Sequence, residues 1–308
     1  MDDAGPGQRQ RPKSAGVGPE YTTRVSADPA RHRRSASLTR APVSSARILR
    51  YNDDVFPYHD ENRTRRTPIV TYALIAINVL VWLVVQGAGT TPALPASVCN
   101  LGLIPGELTG AVRPGAGIEI GEGLVCLTDP GRQASHLLTS MFLHGSWMHL
   151  LGNMWFLYLF GNNIEDSMGR GRFLIFYLLC GLAAALLQVA LTPDSVIPMV
   201  GASGAISGVM GGYLLLYPRV RVYTLVPIGF FITRLALPAW TMLGYWFVLQ
   251  LLGGVTVVAG AKGGGVAFWA HIGGFVAGLV LVKLFARPDY VAQHRSGRWE
   301  PQGFERAA

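Results

Sequence analysis

The chain has 308 residues, of which 50% are hydrophobic and only 14% are charged, and its formal net charge is +8. Because soluble domains carry about 25% charged residues, this composition excludes an ordinary soluble enzyme and predicts a membrane protein.

Residues 1–66 are predicted to form a basic, disordered cytoplasmic tail. Residues 1–50 hold ten Lys and Arg residues against four acids, so +6 of the net charge lies there, among many Ser, Pro and Gly residues. Such a segment buries too little apolar surface to offset its ordering entropy. A solvated tail without a specific partner is the favoured interpretation, and attraction to anionic lipid is the alternative. No apolar segment follows the basic start, so we expect no cleavable signal peptide.

Six apolar segments approach the length of about 20 residues that a membrane-spanning helix needs. They lie near residues 68–85, 149–164, 173–191, 200–217, 239–258 and 265–285. The sequence therefore predicts an all-α polytopic membrane protein, with six transmembrane helices in a core of residues 67–286 and a short cytoplasmic tail of residues 287–308. Residues 87–135 are expected to form a long external loop between the first two helices. Residues 222–235, broken by Pro and Gly, are expected to form a loop or hairpin at the interface.

The positive charges of the loops predict the orientation of the helices. Every Arg-rich loop falls on one side of the membrane, whereas loops 192–198 and 259–264 on the other side carry one charged residue each. Since short cytoplasmic loops carry an excess of Lys and Arg, both termini are predicted to be cytoplasmic. The expected localisation is a plasma membrane, bacterial by default, in which the protein is multi-pass.

Three cysteines are spread over the chain. Cys99 and Cys126 both lie in the long external loop, on a side that can be oxidising. A disulfide between them and two free thiols are equally compatible with the sequence. Cys180 lies inside the third apolar segment and is best explained as a small buried hydrophobe.

Ser203 lies in the first turn of the fourth apolar segment. The first N–H groups of a helix lack internal partners and carry the positive end of its dipole, so an oxyanion formed at this serine could be stabilised there. Gly204, Gly208 and Gly212 recur every four residues and would let another helix approach closely. Taken alone, Ser203 is better explained as a small interface residue, and the absence of G-x-S-x-G argues against an α/β-hydrolase.

His271 lies at a similar depth in the sixth segment, with Gly274 and Gly278 on the same helix face. If the two glycine faces pack together, His271 can act as general base for Ser203. The only acid between residues 173 and 285 is Asp194, in an external loop. The sequence therefore predicts a Ser-His dyad without a third, acidic member.

His144, His149 and Asn153 lie near the external end of the second segment. His149 and Asn153 are four residues apart, so they share a helix face, and both can donate to an oxyanion. Structural bonding between helices is the alternative for Asn153. A metal site made by His144, His149 and His271 is disfavoured, because no carboxylate or thiolate accompanies them and the spacing is not H-E-x-x-H. We expect no metal and no cofactor.

Three motifs carry these residues, in order on the second, fourth and sixth segments. They are His149-Leu150-Leu151-Gly152-Asn153 with His144 before it, Gly201-Ala202-Ser203-Gly204, and Ala270-His271-Ile272-Gly273-Gly274. Together they resemble the signature motifs of the rhomboid intramembrane serine proteases. The resemblance covers about residues 67–285.

The resemblance implies a role for each matched residue. Ser203 would attack the scissile carbonyl and His271 would take its proton. His149, Asn153 and the Ser203 N–H would hold the oxyanion. Supporting roles fall to the remaining motif residues, namely His144, Gly201, Gly204, Gly274 and Gly278. The fifth segment would form a lateral substrate gate that includes Trp246 and Gln250.

The resemblance also implies substrates: membrane proteins with a single span, cut within the lipid bilayer near its external face. No nucleic-acid partner is expected. Two positions depart from the family pattern, since Ser135-His136 stands where many members have Trp-Arg, and Ser207 stands where an aromatic residue often packs on the histidine.

Two other classes of function compete with this one. Non-catalytic binding proteins of the same fold typically lack the serine or the histidine, and both are present here. Transporters tend to show inverted repeats, and the sequence shows no internal repeat. An endopeptidase is therefore the preferred interpretation.

Overall fold

The computed structural model describes residues 25–27, 56–121, 124–131, 133–228, 231–258 and 266–296, and most of these residues are helical. In chain order the elements are β1 Val25–Ala27, β2 Phe56–Asp60, α1 Ile69–Val84, α2 Ala93–Leu101, α3 Pro105–Thr109, β3 Gly117–Gly121, β4 Leu124–Leu127, α4 His136–Thr139, α5 Trp147–Phe156, α6 Asn162–Met168, α7 Arg170–Leu191, α8 Ser203–Leu216, β5 Arg221–Ile228, β6 Phe231–Pro238, α9 Ala239–Val258, α10 Phe268–Phe285 and α11 Pro288–Ser296.

Two of the described helices, α7 and α10, are both long and apolar enough to cross a bilayer, judged by length and composition. α1 and α8 are also apolar but shorter, with 16 and 14 residues. The predicted second segment is formed by α5 and α6 with a π-helical turn, Leu157–Gly161, between them. Residues 222–235, predicted to be a loop or hairpin, lie in the antiparallel hairpin of β5 and β6.

The centre of the molecule is formed by α7, α8 and α10. Ten of the 14 residues of α8 are buried, which agrees with a helix that is apolar on all its faces. A Cβ atom on Gly274 would overlap the carbonyl oxygen of Gly204, and one on Gly278 would overlap that of Gly208. The backbones of α8 and α10 are therefore in direct contact, and glycine is required at both crossing points of α10.

The long connection between α1 and α5 is folded against the segment that leads into α8. It contains the β3–β4 ladder, to which β1 adds a third strand. It also contains a disulfide between Cys99 and Cys126, one of the two alternatives that the sequence left open. Leu103 and Met199 exchange two backbone hydrogen bonds of 3.0 and 2.7 Å. These bonds hold the chain in place just before α8 begins.

The folded unit extends beyond both predicted boundaries of the core. At the N-terminal end, β2 pairs with β5, and the N–H groups of Arg65 and Arg66 donate to the Asp166 carboxylate at 3.0 and 3.1 Å. At the C-terminal end, residues predicted to be a tail form α11, where the buried His294 contacts Asp166. These partners lie about 100 residues apart or more, so local sequence patterns could not reveal them. Residues 1–24, 28–55 and 297–308, the rest of the two predicted tails, lie outside the described residues.

Candidate active site

Ser203 is the first residue of α8, and the residues before it are held in an unusual backbone conformation. Gly201 has φ +132°, in the region that favours glycine, and its N–H donates to the carbonyl of Ser140 at 2.9 Å. The first hydrogen bond of the helix runs from Ile206 N–H to the Ala202 carbonyl. The N–H groups of the first turn, including that of Ser203, therefore have no partner within the helix.

His271 and Ser203 are brought together by the close crossing of α10 and α8. The imidazole Nε2 of His271 lies 2.8 Å from Ser203 Oγ. Because the backbones of α8 and α10 are in contact next to these two residues, the side chains of Ser203 and His271 are long enough to meet between the helices. The structure thus gives the hydroxyl a nitrogen partner that can accept its proton.

Gln250 of α9 contacts the other nitrogen of the same imidazole. Its Oε1 lies 2.8 Å from His271 Nδ1, and the glutamine side chain is buried. Since the amide oxygen can only accept, Nδ1 carries the ring hydrogen and Nε2 keeps its lone pair towards Ser203. This arrangement fixes the tautomer that a general base needs.

The side chains predicted to stabilise an oxyanion, His149 and Asn153, lie on α5. The N–H of Gly145 donates to His149 Nδ1 at 3.3 Å, so in the neutral ring Nε2 carries the hydrogen. A Cβ atom on Gly201 would lie 2.8 Å from His149 Nε2 and 3.4 Å from Ser203 Oγ. Both side chains therefore face one small space, which a glycine at position 201 leaves open.

Asn153 lies one turn further along α5 and is 8% exposed. Its Nδ2 donor has no hydrogen-bond partner among the described residues. A buried amide donor without a partner costs free energy unless something else accepts its hydrogen. The Asn153 Nδ2 group is therefore available to donate to an oxygen atom of a bound substrate.

His144 lies behind His149, with 5.1 Å between the two ring centroids. Its backbone is held on both sides by Gln86, whose Nε2 donates to the His144 carbonyl at 2.7 Å and whose Oε1 accepts its N–H at 2.8 Å. Burial, and next the nearby His149, lower the pKa of His144 to about 3. His144 is therefore neutral at physiological pH. Within the described ranges, no three metal-ligating side chains converge on one point.

Trp246, predicted with Gln250 to line a gate, also packs on the histidine. Its ring centroid lies 5.8 Å from that of His271. Ser207 does not reach the imidazole, because its hydroxyl donates to the Ser203 carbonyl at 2.6 Å. The aromatic contact that resemblance would place at position 207 is thus supplied by α9.

Sequence reasoning missed Gln86 and Gln188, and it assigned Gln250 to a gate without predicting its contact with His271. Gln250 orients His271, Gln86 fixes the His144 backbone, and Gln188 of α7 accepts the Ala270 N–H at the start of α10 at 3.2 Å. All three are glutamines that lie within an apolar helix or just after one. A polar residue at membrane depth is a functional signal by itself, and this signal could have identified them.

A small cavity of about 20 Å³ adjoins Ser203, which is enough for one water molecule or a methyl group. Its lining is made mostly of small residues, including Ser140, Gly181, Ala184, Ala185 and Gly204.

Comparison with known proteins gives one family match, since a model of the Rhomboid domain matches residues 131–288. Rhomboid-like protein 11, chloroplastic, of Arabidopsis thaliana is 30% identical over 155 residues, which are 49% of this chain and 52% of that protein. Rhomboid protein 1, mitochondrial, of Saccharomyces cerevisiae is 26% identical over 174 residues, 53% of this chain and 46% of that one. Rhomboid protease GluP of Bacillus subtilis is 32% identical over 128 residues, 42% of this chain and 24% of that one. The matched part spans about half the length of these curated relatives, or less.

The expected localisation in a bacterial plasma membrane is contradicted by these relatives. Several of them are named as chloroplastic or mitochondrial proteins, which points to organelle membranes instead. The cytoplasmic position of both termini, which was inferred from the Arg-rich loops, was part of that expected localisation and is withdrawn with it.

Proposed function

The chain belongs to the rhomboid family, and from this premise we propose that it is an intramembrane serine endopeptidase that uses a Ser203–His271 dyad. The family model matches half of the chain, residues 131–288, and this stretch contains both residues. The observation that carries the proposal is the 2.8 Å contact between His271 Nε2 and Ser203 Oγ. A serine with a nitrogen base at this distance is the minimal arrangement for nucleophilic catalysis.

The family implies a helical, polytopic membrane fold, and we infer six membrane helices within it. They are α1, α5 with the first turn of α6, α7, α8, α9 and α10, and the long connection between α1 and α5 lies on the side where α8 and α10 begin. The six apolar segments of the sequence support this count, and so do α1, α7, α8 and α10, which are apolar helices in the structure.

The first chemical step is attack by Ser203 on the scissile carbonyl. A bond forms between Oγ and the carbonyl carbon, and the hydroxyl proton passes to His271 Nε2. Gln250 keeps Nδ1–H in place throughout, because its Oε1 accepts that hydrogen. The electron pair of the C=O double bond moves onto the carbonyl oxygen, which becomes the oxyanion.

The oxyanion is stabilised by donors from α5 and from the first turn of α8. These are Nε2–H of His149, Nδ2 of Asn153 and the main-chain N–H of Ser203. Donors that are already oriented cost no reorganisation when charge develops, so they stabilise the transition state more than the ground state. The absence of a partner for Asn153 Nδ2 among the described residues supports this role.

The second half of the reaction releases both products. His271 gives its proton to the amide nitrogen as the C–N bond breaks, and the amine product leaves. Water then attacks the ester on Ser203, with His271 again taking the proton. The C–O bond to Ser203 breaks as His271 returns this proton to Oγ, and the product with the new carboxyl group is released. Water reaches the site from the nearby membrane face, because both dyad residues lie in the first turns of their helices.

The substrate class follows from the same geometry. An intact membrane helix shields its carbonyls with internal hydrogen bonds, so a single-span protein whose helix unwinds near this face is the natural substrate. The cavity of about 20 Å³ beside Ser203 favours a small residue before the scissile bond.

The test is cleavage of a fluorescent single-span substrate by the purified protein in liposomes. Wild-type protein is expected to cut it and the Ser203→Ala variant is not. Ser207→Ala is the matched control. It removes a hydroxyl one turn further along the same helix, and this hydroxyl bonds only to the backbone. If cleavage survives in Ser203→Ala, or if folded wild-type protein cuts none of several substrates, the proposal is wrong and capture of membrane helices without cleavage takes its place.

A further inference from the structure

A basic cleft of about 500 Å³ lies far from the candidate active site. It is formed by the C-terminal end of α6, the N-terminal end of α7 and the start of α11. Ala184 of α7 packs against Gly204, next to Ser203, and follows Arg170 by 14 residues, so the start of α7 lies about 21 Å along the helix from the level of Ser203. Four arginines line the cleft, Arg66, Arg170, Arg172 and Arg287. The cleft and the dyad are therefore at opposite ends of the helix bundle.

The two acids that line the cleft are already occupied by other groups. The Glu165 carboxylate accepts the N–H groups of Val70 and Thr71 at 3.0 and 2.8 Å, and also the Thr71 hydroxyl at 2.8 Å. The Asp166 carboxylate accepts from the backbone at the start of α1, from Arg66 and from His294. Neither acid pairs with Arg170, Arg172 or Arg287 in the described part of the chain. With four arginines against two acids, the lining carries a net charge of +2.

The three remaining guanidinium groups keep most of their donors free. The Arg170 side chain makes no hydrogen bond or ion pair with any described residue, and the Arg172 side chain makes one long bond of 3.4 Å, to the Phe285 carbonyl. Arg287 contacts the Tyr290 hydroxyl at 3.3 Å and the exposed Asp289 at 3.7 Å. Guanidinium groups with free, parallel N–H donors are suited to bidentate contacts with anions.

The ring of Tyr290 stacks with two of the arginines that line the cleft. The guanidinium of Arg66 lies 3.7 Å from the centre of its ring, and that of Arg287 lies 4.2 Å from it. Two cations stacked on one aromatic ring are held in a fixed position, so less side-chain entropy is lost when an anion binds.

The surface next to the arginines is apolar and exposed. Leu174 and Ile175, in the next turn of α7, are 39% and 53% exposed, and Leu284 near the end of α10 is 73% exposed. A cationic cleft beside an apolar helix surface is complementary to an anionic phospholipid, whose headgroup would contact the arginines while its acyl chains contact the apolar side chains.

We propose that this cleft binds a phosphate group, presented by the headgroup of an anionic phospholipid or as free phosphate. Arg170 and Arg172 supply the free donors, and Arg287 flanks them. The site is independent of the proposed peptidase activity, so one can fail without the other.

The test measures binding to the purified full-length protein in an uncharged detergent at constant ionic strength. Three probes are compared: dioctanoyl phosphatidylglycerol, its zwitterionic phosphatidylcholine analogue, and inorganic phosphate. Native mass spectrometry counts retained lipid, and thermal unfolding reports stabilisation by any ligand that prefers the folded state. We expect the anionic lipid to bind at least about tenfold more tightly than the zwitterionic one, the difference that one charge-assisted hydrogen bond supplies.

Variants assign the binding to the cleft. Arg170→Gln combined with Arg172→Gln should weaken binding about a hundredfold, or about tenfold for each charge-assisted hydrogen bond to the phosphate that the variant can no longer form. Both side chains are exposed, so the variant should fold, and unaltered substrate cleavage provides a check. Arg219→Gln combined with Arg234→Gln, which removes two exposed arginines outside the cleft, is the matched control and should bind as the wild type does.

The outcomes separate the two sources of phosphate. Stabilisation by inorganic phosphate that disappears in the Arg170/Arg172 variant identifies free phosphate as a sufficient ligand. Retention of phosphatidylglycerol without any effect of phosphate identifies the lipid. Equal binding by this variant and the wild type, or no preference of the wild type for either anion, would overturn the proposal.

Discussion

His271 contacts two oxygens, Ser203 Oγ on one side and Gln250 Oε1 on the other, each at 2.8 Å. In a soluble serine protease a buried carboxylate holds the second position. A charge inside a membrane is costly, and a neutral amide fixes the same tautomer without that cost. At the scale of the residue, we therefore propose that Gln250 positions His271 for the proposed dyad.

Gln250→Leu should lower kcat by about tenfold to a hundredfold, because the imidazole is no longer held in the productive tautomer and orientation. KM should stay close to the wild-type value, since the contact involves the histidine alone. Gln250→Glu keeps an acceptor of the same length, so its rate should exceed that of Gln250→Leu, but it should stay below the wild-type rate because a charge at membrane depth is costly. The measurement is steady-state cleavage in liposomes, and an unchanged kcat in Gln250→Leu would contradict the positioning role.

Asn153→Ala should reduce kcat by about a hundredfold, the usual loss when one oxyanion donor is removed. The reduction should be smaller than in Ser203→Ala, because His149 and the Ser203 N–H remain. Single-turnover cleavage measures it, with Asn162→Ala, further along the same run of helix, as the control that should leave the rate unchanged. Equal rates for Asn153→Ala and wild type would exclude Asn153 from the oxyanion site.

At the scale of the element, the position of the site is set by the crossing of α8 and α10. Gly204, Gly208, Gly274 and Gly278 bring the two backbones into contact, and the spacing of these glycines predicts this from the sequence. The apolar segments likewise predict where helices occur. The π-helical turn Leu157–Gly161 and the direction of the Gln250 side chain do not follow from any local pattern, because both depend on packing between distant segments.

Gly274→Val should destabilise the protein and abolish cleavage together. A Cβ atom there would overlap the Gly204 carbonyl, and backbone cannot move aside as a flexible side chain can. Overpacking costs about 1–3 kcal/mol, and more where backbone must shift. Thermal unfolding and cleavage are measured beside Gly244→Val, whose Cβ would meet open space. Normal cleavage by Gly274→Val would show that activity does not require the close crossing of α8 and α10.

At the scale of the whole molecule, Asp166 joins segments that are far apart in the sequence. Its carboxylate accepts from Arg65, Arg66 and His294, and thereby connects the entry to α1 with the end of α6 and with α11. This junction lies opposite the dyad, next to the basic cleft. Sequence analysis assigned residues 65–66 and 294 to tails, because an interaction across 100 residues or more has no local signature.

The stability of the protein should depend on Asp166 in a pH-dependent way. Burial opposes ionisation of this carboxyl, but His294, the Arg65 N–H and Arg66 prevail and hold its pKa below the usual 3.8. The contribution is therefore fully present above about pH 4 and is lost as the pH falls through the lowered pKa. Thermal unfolding from pH 7 to pH 3 should show Asp166→Asn less stable than wild type at pH 7, with the gap narrowing in acid. A gap that is constant over this range would contradict the assignment.

The measurement that tests the dyad most directly is labelling with a fluorophosphonate probe, followed by mass spectrometry of the adduct. It needs no knowledge of the substrate, because the probe reacts with an activated serine hydroxyl. The account predicts one adduct, on Ser203, which persists in Ser207→Ala and disappears in His271→Ala. An adduct on another serine, or undiminished labelling of Ser203 without His271, would contradict it.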